Sequence, residues 1–417
     1  MFAYMGRQPV YAKDLTHCGN FILHRENVTR VSKRFEDEDA ALQCVFTNAI
    51  ALFDFDKLTE GLPAHILFTR EMLFWNMPFI ADPKRIVVEI SADTSVDEKL
   101  TDKLTELKIA GYKLAISGYN MRNGTVKLNK ILNYFDMVYV DVHQNSRLQL
   151  TELIGKIRQN SAAKVLGEQI DTQADFDKVQ GLNISIYQGL LFGKPSILKE
   201  EVNLANTPYG QVYNEASKPS ASLDTCCKII TGSRVLTQML LQTFPTVREQ
   251  KNIPSDVKAT IMAMGMGPLR KWSCLLLLKQ LNESDTLKLS REAYRRGTLM
   301  ERLLEESTSK GSAETGFYYG AFSIMDKITD TPLSSILGQL RIESEARSSL
   351  LGKEKNVFDT FLNYILRWEE PDKPPQDPAV KVSLTERRLA EAYKRSVLDT
   401  ETAFYVFNPF SSKGSRR

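Results

Sequence analysis

One alternation constrains this chain more than any other feature. Short β-branched runs ending on a polar residue recur through the first half, each followed by a stretch with helical spacing. The runs are Ile86-Val87-Val88-Glu89, Lys113-Leu114-Ala115-Ile116-Ser117, Met137-Val138-Tyr139-Val140-Asp141, Lys164-Val165-Leu166-Gly167-Glu168 and Ile184-Ser185-Ile186-Tyr187-Gln188. Apolar-periodic segments such as 97–110 and 146–159 lie between them. Strands spaced by roughly 20 to 28 residues with helices between them need crossover connections and run parallel. Two architectures remain, a closed β/α barrel or an open doubly wound sheet. In a barrel, the residues at the carboxyl ends of the strands line the functional face, which here means Glu89, Ser117, Asp141, Glu168 and Gln188.

From about residue 199 the β-branched runs stop and long amphipathic stretches take over. Residues 223–243, 254–264, 268–281, 287–308, 313–326, 332–339 and 384–398 are predicted as helices. The second half is therefore predicted all-α. At 417 residues the chain is too long for one ordinary domain. The expected organisation is an α/β domain over 1–198, a Pro- and Gly-containing linker over 199–221, a helical domain over 222–405 and a tail over 406–417. The run Met264-Gly265-Met266-Gly267 lacks the spacing of a phosphate loop and follows no strand, so it is predicted as a turn between helices. Met239-Leu240-Leu241, Trp272 and the run 275–278 are predicted core stripes, with an exposed partner groove as the alternative.

Composition removes several function classes. The chain carries 54 Lys and Arg against 51 Asp and Glu, a balance that gives no reason to expect nucleic acid as a partner. The longest apolar runs fall far short of the ~20 residues that span a bilayer, so no membrane span is expected. The first fourteen residues have no continuous apolar core, so no export signal is expected. Five cysteines without CxxC spacing argue against a disulfide framework or a zinc site, and a cytoplasmic location is expected.

Several motifs carry a family resemblance over nearly the whole chain. Arg7-Gln8-Pro9-Val10-Tyr11, Phe68-Thr69-Arg70-Glu71 and Gln188-Gly189-Leu190-Leu191-Phe192-Gly193-Lys194-Pro195 resemble, in order and spacing, the RQPIF/Y, NFTRE and QGYxFxKP segments of EAL-type cyclic-di-GMP phosphodiesterases. Leu269-Arg270-Lys271-Trp272 and the segment 332–337 are similar to helices of the HD-related output (HDOD) domain that follows the EAL domain in one subgroup. The resemblance implies a TIM-like EAL β/α barrel followed by an all-helical HDOD domain.

It also implies a test of chemistry. Active EAL enzymes hydrolyse cyclic-di-GMP with two divalent ions held by carboxylates and an Asn, assisted by a Lys. Two hard cations a few ångströms apart need several anionic oxygen ligands to offset their repulsion. In this chain the signature Glu falls on Phe21, the Asn on Leu67, the paired aspartates on Ser117 and Gly118, and the Lys on Tyr139. A late Glu is replaced by Asp171. Glu89, Asp141, Glu168, Gln188 and Arg25 are kept. No catalytic residue, metal or cofactor is therefore expected. His24, His65 and Asp136 are the candidates for a substitute ligand. Glu89, Asp141 and Glu168 have two readings, a vestigial metal site or polar residues satisfied at the barrel mouth and paired with Arg25. Arg25, Gln188 and Gly189 are candidate nucleotide contacts, because an Arg pairs with phosphate and a Gly admits close backbone approach. All four histidines, His17, His24, His65 and His143, lie in the first half, which excludes an HD-type metal site in the second. The expected function is an inactive adaptor that signals through protein partners, with a cyclic-di-GMP receptor as the alternative and a residual phosphodiesterase as the third class.

Overall fold

The computed structural model describes residues 2–23, 25–27, 30–31, 38–121, 126–247, 256–280, 287–307, 312–369 and 385–407. The chain divides into two compact units, one of Tyr4–Glu200 and one of Glu201–Arg417 with Met1–Ala3.

The first unit contains the strands β1 (Phe2–Ala12), β2 (His17–Leu23), β3 (Arg25–Asn27), β4 (Arg30–Val31), β5 (Ala64–Leu67), β6 (Ile86–Ser91), β7 (Lys113–Ser117), β8 (Met137–Asp141), β9 (Lys164–Glu168) and β10 (Ile186–Tyr187), with β11 (Ser196–Glu201) at its end. Its helices are α1 (Glu38–Ala51), α2 (Phe55–Thr59), α3 (Arg70–Phe74), α4 (Glu98–Ile109), α5 (Val126–Ile131), α6 (Arg147–Asn160) and α7 (Gln173–Val179). The main sheet runs β10-β9-β8-β7-β6-β5-β2-β1-β11, and β10 also pairs with β1. That last pairing decides between the two architectures left open by the alternation. Tyr11 opposes Tyr187 and Ala12 opposes Ile186, so the sheet closes into a barrel, with β11 added beside β1. β1 is antiparallel to both of its barrel neighbours, and the strands from β2 round to β10 are parallel.

Side chains two apart on a strand share a face. Val10, Phe21, Leu23, Val87, Ala115, Met137, Tyr139, Leu166 and Ile186 form one buried cluster that fills the barrel. Positions two residues further along the parallel strands therefore face the same interior at its carboxyl end. Outside the barrel, Leu100, Leu104 and Leu107 of α4 are buried at helical spacing, and Leu150, Leu153, Ile154 and Ile157 do the same for α6. Asp97 caps α4 through the amide of Leu100, and Ser146 with Gln149 makes a capping box for α6.

The second unit is built from α8 (Pro208–Ala216), α9 (Leu223–Thr231), α10 (Arg234–Val247), α11 (Val257–Met264), α12 (Met266–Gln280), α13 (Leu287–Glu305), α14 (Ala313–Phe322), α15 (Met325–Thr329), α16 (Leu333–Gln339), α17 (Ser344–Leu350), α18 (Val357–Glu369) and α19 (Glu386–Phe407). The turn expected between Met264 and Met266 is present, with Gly265 at φ 85°. The crossing of α13 and α14 is close. A Cβ at Gly297 would lie 2.7 Å from the Phe317 carbonyl oxygen, and one at Gly320 would lie 2.6 Å from that of Arg296. Among the described residues, no helix is long and apolar enough to cross a membrane.

Three sequence expectations need correction here. The segment 199–221 contains helix α8, whose Tyr209, Val212 and Tyr213 are buried. Pro208 and Gly210 marked it as linker, but Pro208 occupies the first helical turn, where its missing N–H is no loss. Gly210 is there because a Cβ would lie 1.7 Å from the Leu204 carbonyl oxygen. The predicted helix 223–243 breaks between Thr231 and Arg234, where Gly232 ends α9. The last helix extends past Leu398 to Phe407, and α17 and α18 were not anticipated. Residues 408–417 of the expected tail lie outside the described residues.

Candidate functional site

The carboxyl ends of the parallel strands bring the expected polar residues to one mouth. Glu89 stands two residues beyond Val87, Ser117 beyond Ala115, Asp141 beyond Tyr139, Glu168 beyond Leu166 and Gln188 beyond Ile186, so each shares the interior face of its core neighbour. Register agrees with this placement. Leu67 pairs with Glu89, Ser91 with Ser117, and Asp141 with Glu168. Glu89 and Glu168 are 5% and 6% exposed, which is rare for ionisable groups.

One layer deeper, the interior is aromatic. Phe21 lies opposite His65 across β2 and β5, with ring centroids 5.1 Å apart. Phe21 meets Tyr139 edge-on at 5.6 Å, a favoured quadrupole arrangement. Nδ1 of His65 is hydrogen-bonded to the Tyr139 hydroxyl. Gly19 makes room for this cluster, since a Cβ there would lie 2.8 Å from Nε2 of His65. Burial pushes the Tyr139 phenol well above its ordinary pKa, and the charges of Glu89 and Glu168 push it the same way. Burial lowers His65 to about 3, with a smaller contribution from Lys113. At neutral pH the layer beneath the carboxylates is thus a neutral phenol, a neutral imidazole and a phenyl ring.

The depressed His65 has a measurable consequence. The unfolded chain takes up this proton near the ordinary value of 6.5, whereas the native chain holds off until about 3. The native state's advantage is complete above pH 6.5 and is lost as pH falls towards 3, at about 1.4 kcal/mol per pH unit within that window. His65→Gln keeps a hydrogen-bonding group and removes the titration. Urea unfolding at pH 6.5 and 5.5 should show a smaller loss of stability in the variant than in the parent, and equal losses would refute neutral burial of His65.

The other residues singled out from sequence fall into distinct places. Oδ1 of Asp141 accepts from the Gln144 amide at 2.9 Å, so this carboxylate shapes the loop after β8. Asp171 accepts from the Leu190 amide at 2.8 Å. Gly118 has φ 70°, a backbone that a β-carbon strains, which accounts for glycine there in local terms. Asp136 is no substitute ligand. It precedes β8 at the opposite end of the barrel, bound to Lys108 at 2.7 Å and to the Leu114 amide at 2.8 Å. His65 belongs to the aromatic layer, and His24 lies outside the described residues. Arg25 sits in β3, paired with Val31 in a two-stranded sheet that follows β2 directly.

Two candidate nucleotide contacts are engaged within the fold. The Gln188 side chain donates to Oε1 of Gln8 at 2.5 Å and accepts from the Gln169 amide at 3.0 Å. Gln8 in turn donates to the Gly193 carbonyl at 3.1 Å. This chain of amides ties the antiparallel strand β1 to the end of β10, where the barrel closes. Gly189 admits close approach, but of its own chain rather than a ligand, because a Cβ would lie 2.1 Å from the Ile170 carbonyl oxygen. Gln8 appeared in the sequence only as part of the Arg7–Tyr11 motif, with no role of its own. Its signal was the alternation with Val10, which puts both on the interior face of β1.

A two-ion centre asks for several hard anionic donors converging on one point. Among the described residues, no three His, Cys, Asp or Glu side chains are grouped so that they could hold a metal ion. The donor set present, with phenyl and phenol where the resemblance puts Glu and Lys, does not fit such a centre.

No protein-family model matches the chain. The uncharacterized protein YuxH of Bacillus subtilis is 24% identical over 366 residues, which cover 86% of this chain and 88% of that protein. The cyclic di-GMP phosphodiesterase CdgJ of Vibrio cholerae is 21% identical over 355 residues, 84% of this chain and 81% of CdgJ. The chain is thus a homologue of a cyclic-di-GMP phosphodiesterase along most of its length. Similar solved structures include BlrP1 of Klebsiella pneumoniae with manganese and cyclic-di-GMP, at 18% identity and TM-score 0.38, covering 47% of this chain and 60% of that one. The EAL-domain protein YkuI of Bacillus subtilis, with cyclic-di-GMP and calcium, aligns at 15% identity and TM-score 0.40, covering 62% of this chain and 70% of that one.

Proposed function

We propose that this chain is a non-hydrolysing regulator in a cyclic-di-GMP network, which acts through protein partners of its EAL-type barrel and of a helical half of HDOD type. The observation that carries the reading is the aromatic layer. Phe21 and Tyr139 stand where the resemblance puts a metal-binding Glu and a Lys, and they pack on His65 beneath Glu89 and Glu168. A hydrolase of this kind works by clamping the attacking and leaving oxygens between two cations. Apolar rings in place of anionic and cationic groups supply neither ligand charge nor a cation for the developing phosphorane.

Purified chain with cyclic-di-GMP and either Mg²⁺ or Mn²⁺ should show hydrolysis at the background rate. Metal-dependent turnover would overturn the reading and revive the phosphodiesterase class.

A second reading is a receptor that binds cyclic-di-GMP without cleaving it. Its support is Arg25, which follows directly on the carboxyl end of β2 and so stands on the mouth side of the barrel. Gln188 and Gly189 lend less, being engaged in barrel closure. Calorimetry with and without Mg²⁺ separates the readings. No heat at tens of micromolar protein removes the receptor, and binding that Arg25→Ala abolishes establishes it.

A further inference from the structure

In the helical unit, a cleft of about 680 Å³ opens beside the start of α12, with Lys218, Arg270 and Arg341 among its lining residues. That volume is in the range of small-molecule sites. All its lining residues belong to the helical unit.

Its cations are unevenly neutralised. Lys218 is bound to Glu215 at 2.5 Å. Arg270 meets Glu314 through Nη1 at 3.2 Å and also bonds the Tyr213 hydroxyl, while its Nε is buried without an acceptor. The Arg270 side chain is 12% exposed, and its guanidinium lies 3.8 Å from the centre of the Tyr318 ring. Contact with the Tyr318 ring, and with the Tyr213 ring 5.7 Å away, fixes the plane of the fork. The guanidinium of Arg341 is exposed and interacts with the charge of Glu215 without a direct ion pair, and its backbone amide is tied to Asn214 at 2.7 Å.

The start of α12 adds to this. Met266 and Gly267 line the cleft and open the helix, and their N–H groups have no intrahelical acceptor. Gly265 before them has no side chain that could cap them. Arg270 is one turn further on, on the same helix face. Two amides at a helix N-terminus and two guanidinium forks form three groups of donors. A phosphate monoester presents three terminal oxygens to them, whereas a carboxylate presents two. Glu215 together with the lining carboxylates Glu314 and Glu343 balances Lys218, Arg270 and Arg341, so the cleft has no excess of positive charge for a polyanion and suits a single phosphoryl group.

We propose that this cleft binds a small phosphate-bearing ligand, its phosphoryl group seated between the start of α12 and the guanidinium groups of Arg270 and Arg341.

The test is calorimetry of the full chain with inorganic phosphate as probe, with sodium chloride matched for ionic strength and malonate as the dicarboxylate arm. Saturable phosphate binding is expected, with malonate weaker. Arg341→Ala, at an exposed position, should weaken phosphate by about tenfold. A Cβ at Gly267 meets nothing within 4 Å, so Gly267→Asp places a carboxylate at the seat without a clash. That acidic group in the first turn also favours the helix. Gly267→Asp should therefore abolish binding while leaving the melting temperature unchanged or higher, which separates loss of the site from loss of the fold. Absence of saturable phosphate heat, malonate binding as tightly as phosphate, or undiminished affinity in both variants would each overturn the proposal.

Discussion

Phe21→Glu is expected to destabilise the barrel by more than about 4 kcal/mol and to create no phosphodiesterase, although it restores the residue that the EAL resemblance puts there. Phe21 is buried in the ring cluster with His65 and Tyr139. Truncating a packed phenyl ring costs roughly 3–5 kcal/mol in lost burial and cavity formation together. The new carboxylate would then sit beneath Glu89 and Glu168, beside an imidazole that burial keeps neutral down to about pH 3. An unpaired buried charge adds several kcal/mol more. Phe21→Leu keeps the site apolar and should cost far less. Urea titration of the three proteins reads the difference directly, and a Phe21→Glu variant within about 1 kcal/mol of the parent would show that the layer is an open ligand site after all.

Gly189→Ala should be the other severe change, with a loss of about 3 kcal/mol or more. The added carbon would lie 2.1 Å from the Ile170 carbonyl oxygen, and the neighbouring atoms are backbone that cannot rotate away. Ile170 is itself bonded through its amide to the Gln188 carbonyl at 3.0 Å. Relieving the clash therefore moves the strand end that carries the Gln188–Gln8 link. Gly155→Ala is the matched control, because it lies in α6 with nothing within 4 Å of a built Cβ. Replacing a helical glycine there should stabilise by about 0.5–1 kcal/mol. Opposite shifts in melting temperature are expected for the two substitutions, and a mild effect at Gly189 would mean the close approach is not made in solution.

The two experiments address different parts of one arrangement. Phe21 belongs to the aromatic layer beneath the mouth carboxylates, whereas Gly189 belongs to the seam that closes the barrel. Separate destabilisation of each, without gain of hydrolysis, is the outcome that the proposed non-hydrolysing role predicts.

By itself the sequence determined what depends on local periodicity. Val87 with Glu89, Ala115 with Ser117, Tyr139 with Asp141 and Leu166 with Glu168 alternate along single strands, so the parallel strands and the polar residues at their ends were legible. So were the helical second half and the turn at Gly265, because amphipathic spacing and a glycine break are local signals. The resemblance also aligned Phe21, Leu67, Ser117, Gly118 and Tyr139 with the family's ligand positions, and the proposed loss of hydrolysis rests on that alignment.

Tertiary structure alone decided what depends on closure. Phe21, His65 and Tyr139 become one cluster only when β2, β5 and β8 bend round a common axis. Gln8 reaches Gln188 across 180 residues because β1 pairs with β10. Asp136, five residues before Asp141, ends up at the opposite mouth, since the length of β8 separates the two. Pro208 and Gly210 signalled a break locally, yet packing put them inside helix α8, one at a position that needs no N–H and one where no Cβ fits. Local alternation says which way a side chain points, and only the closed sheet says what it meets.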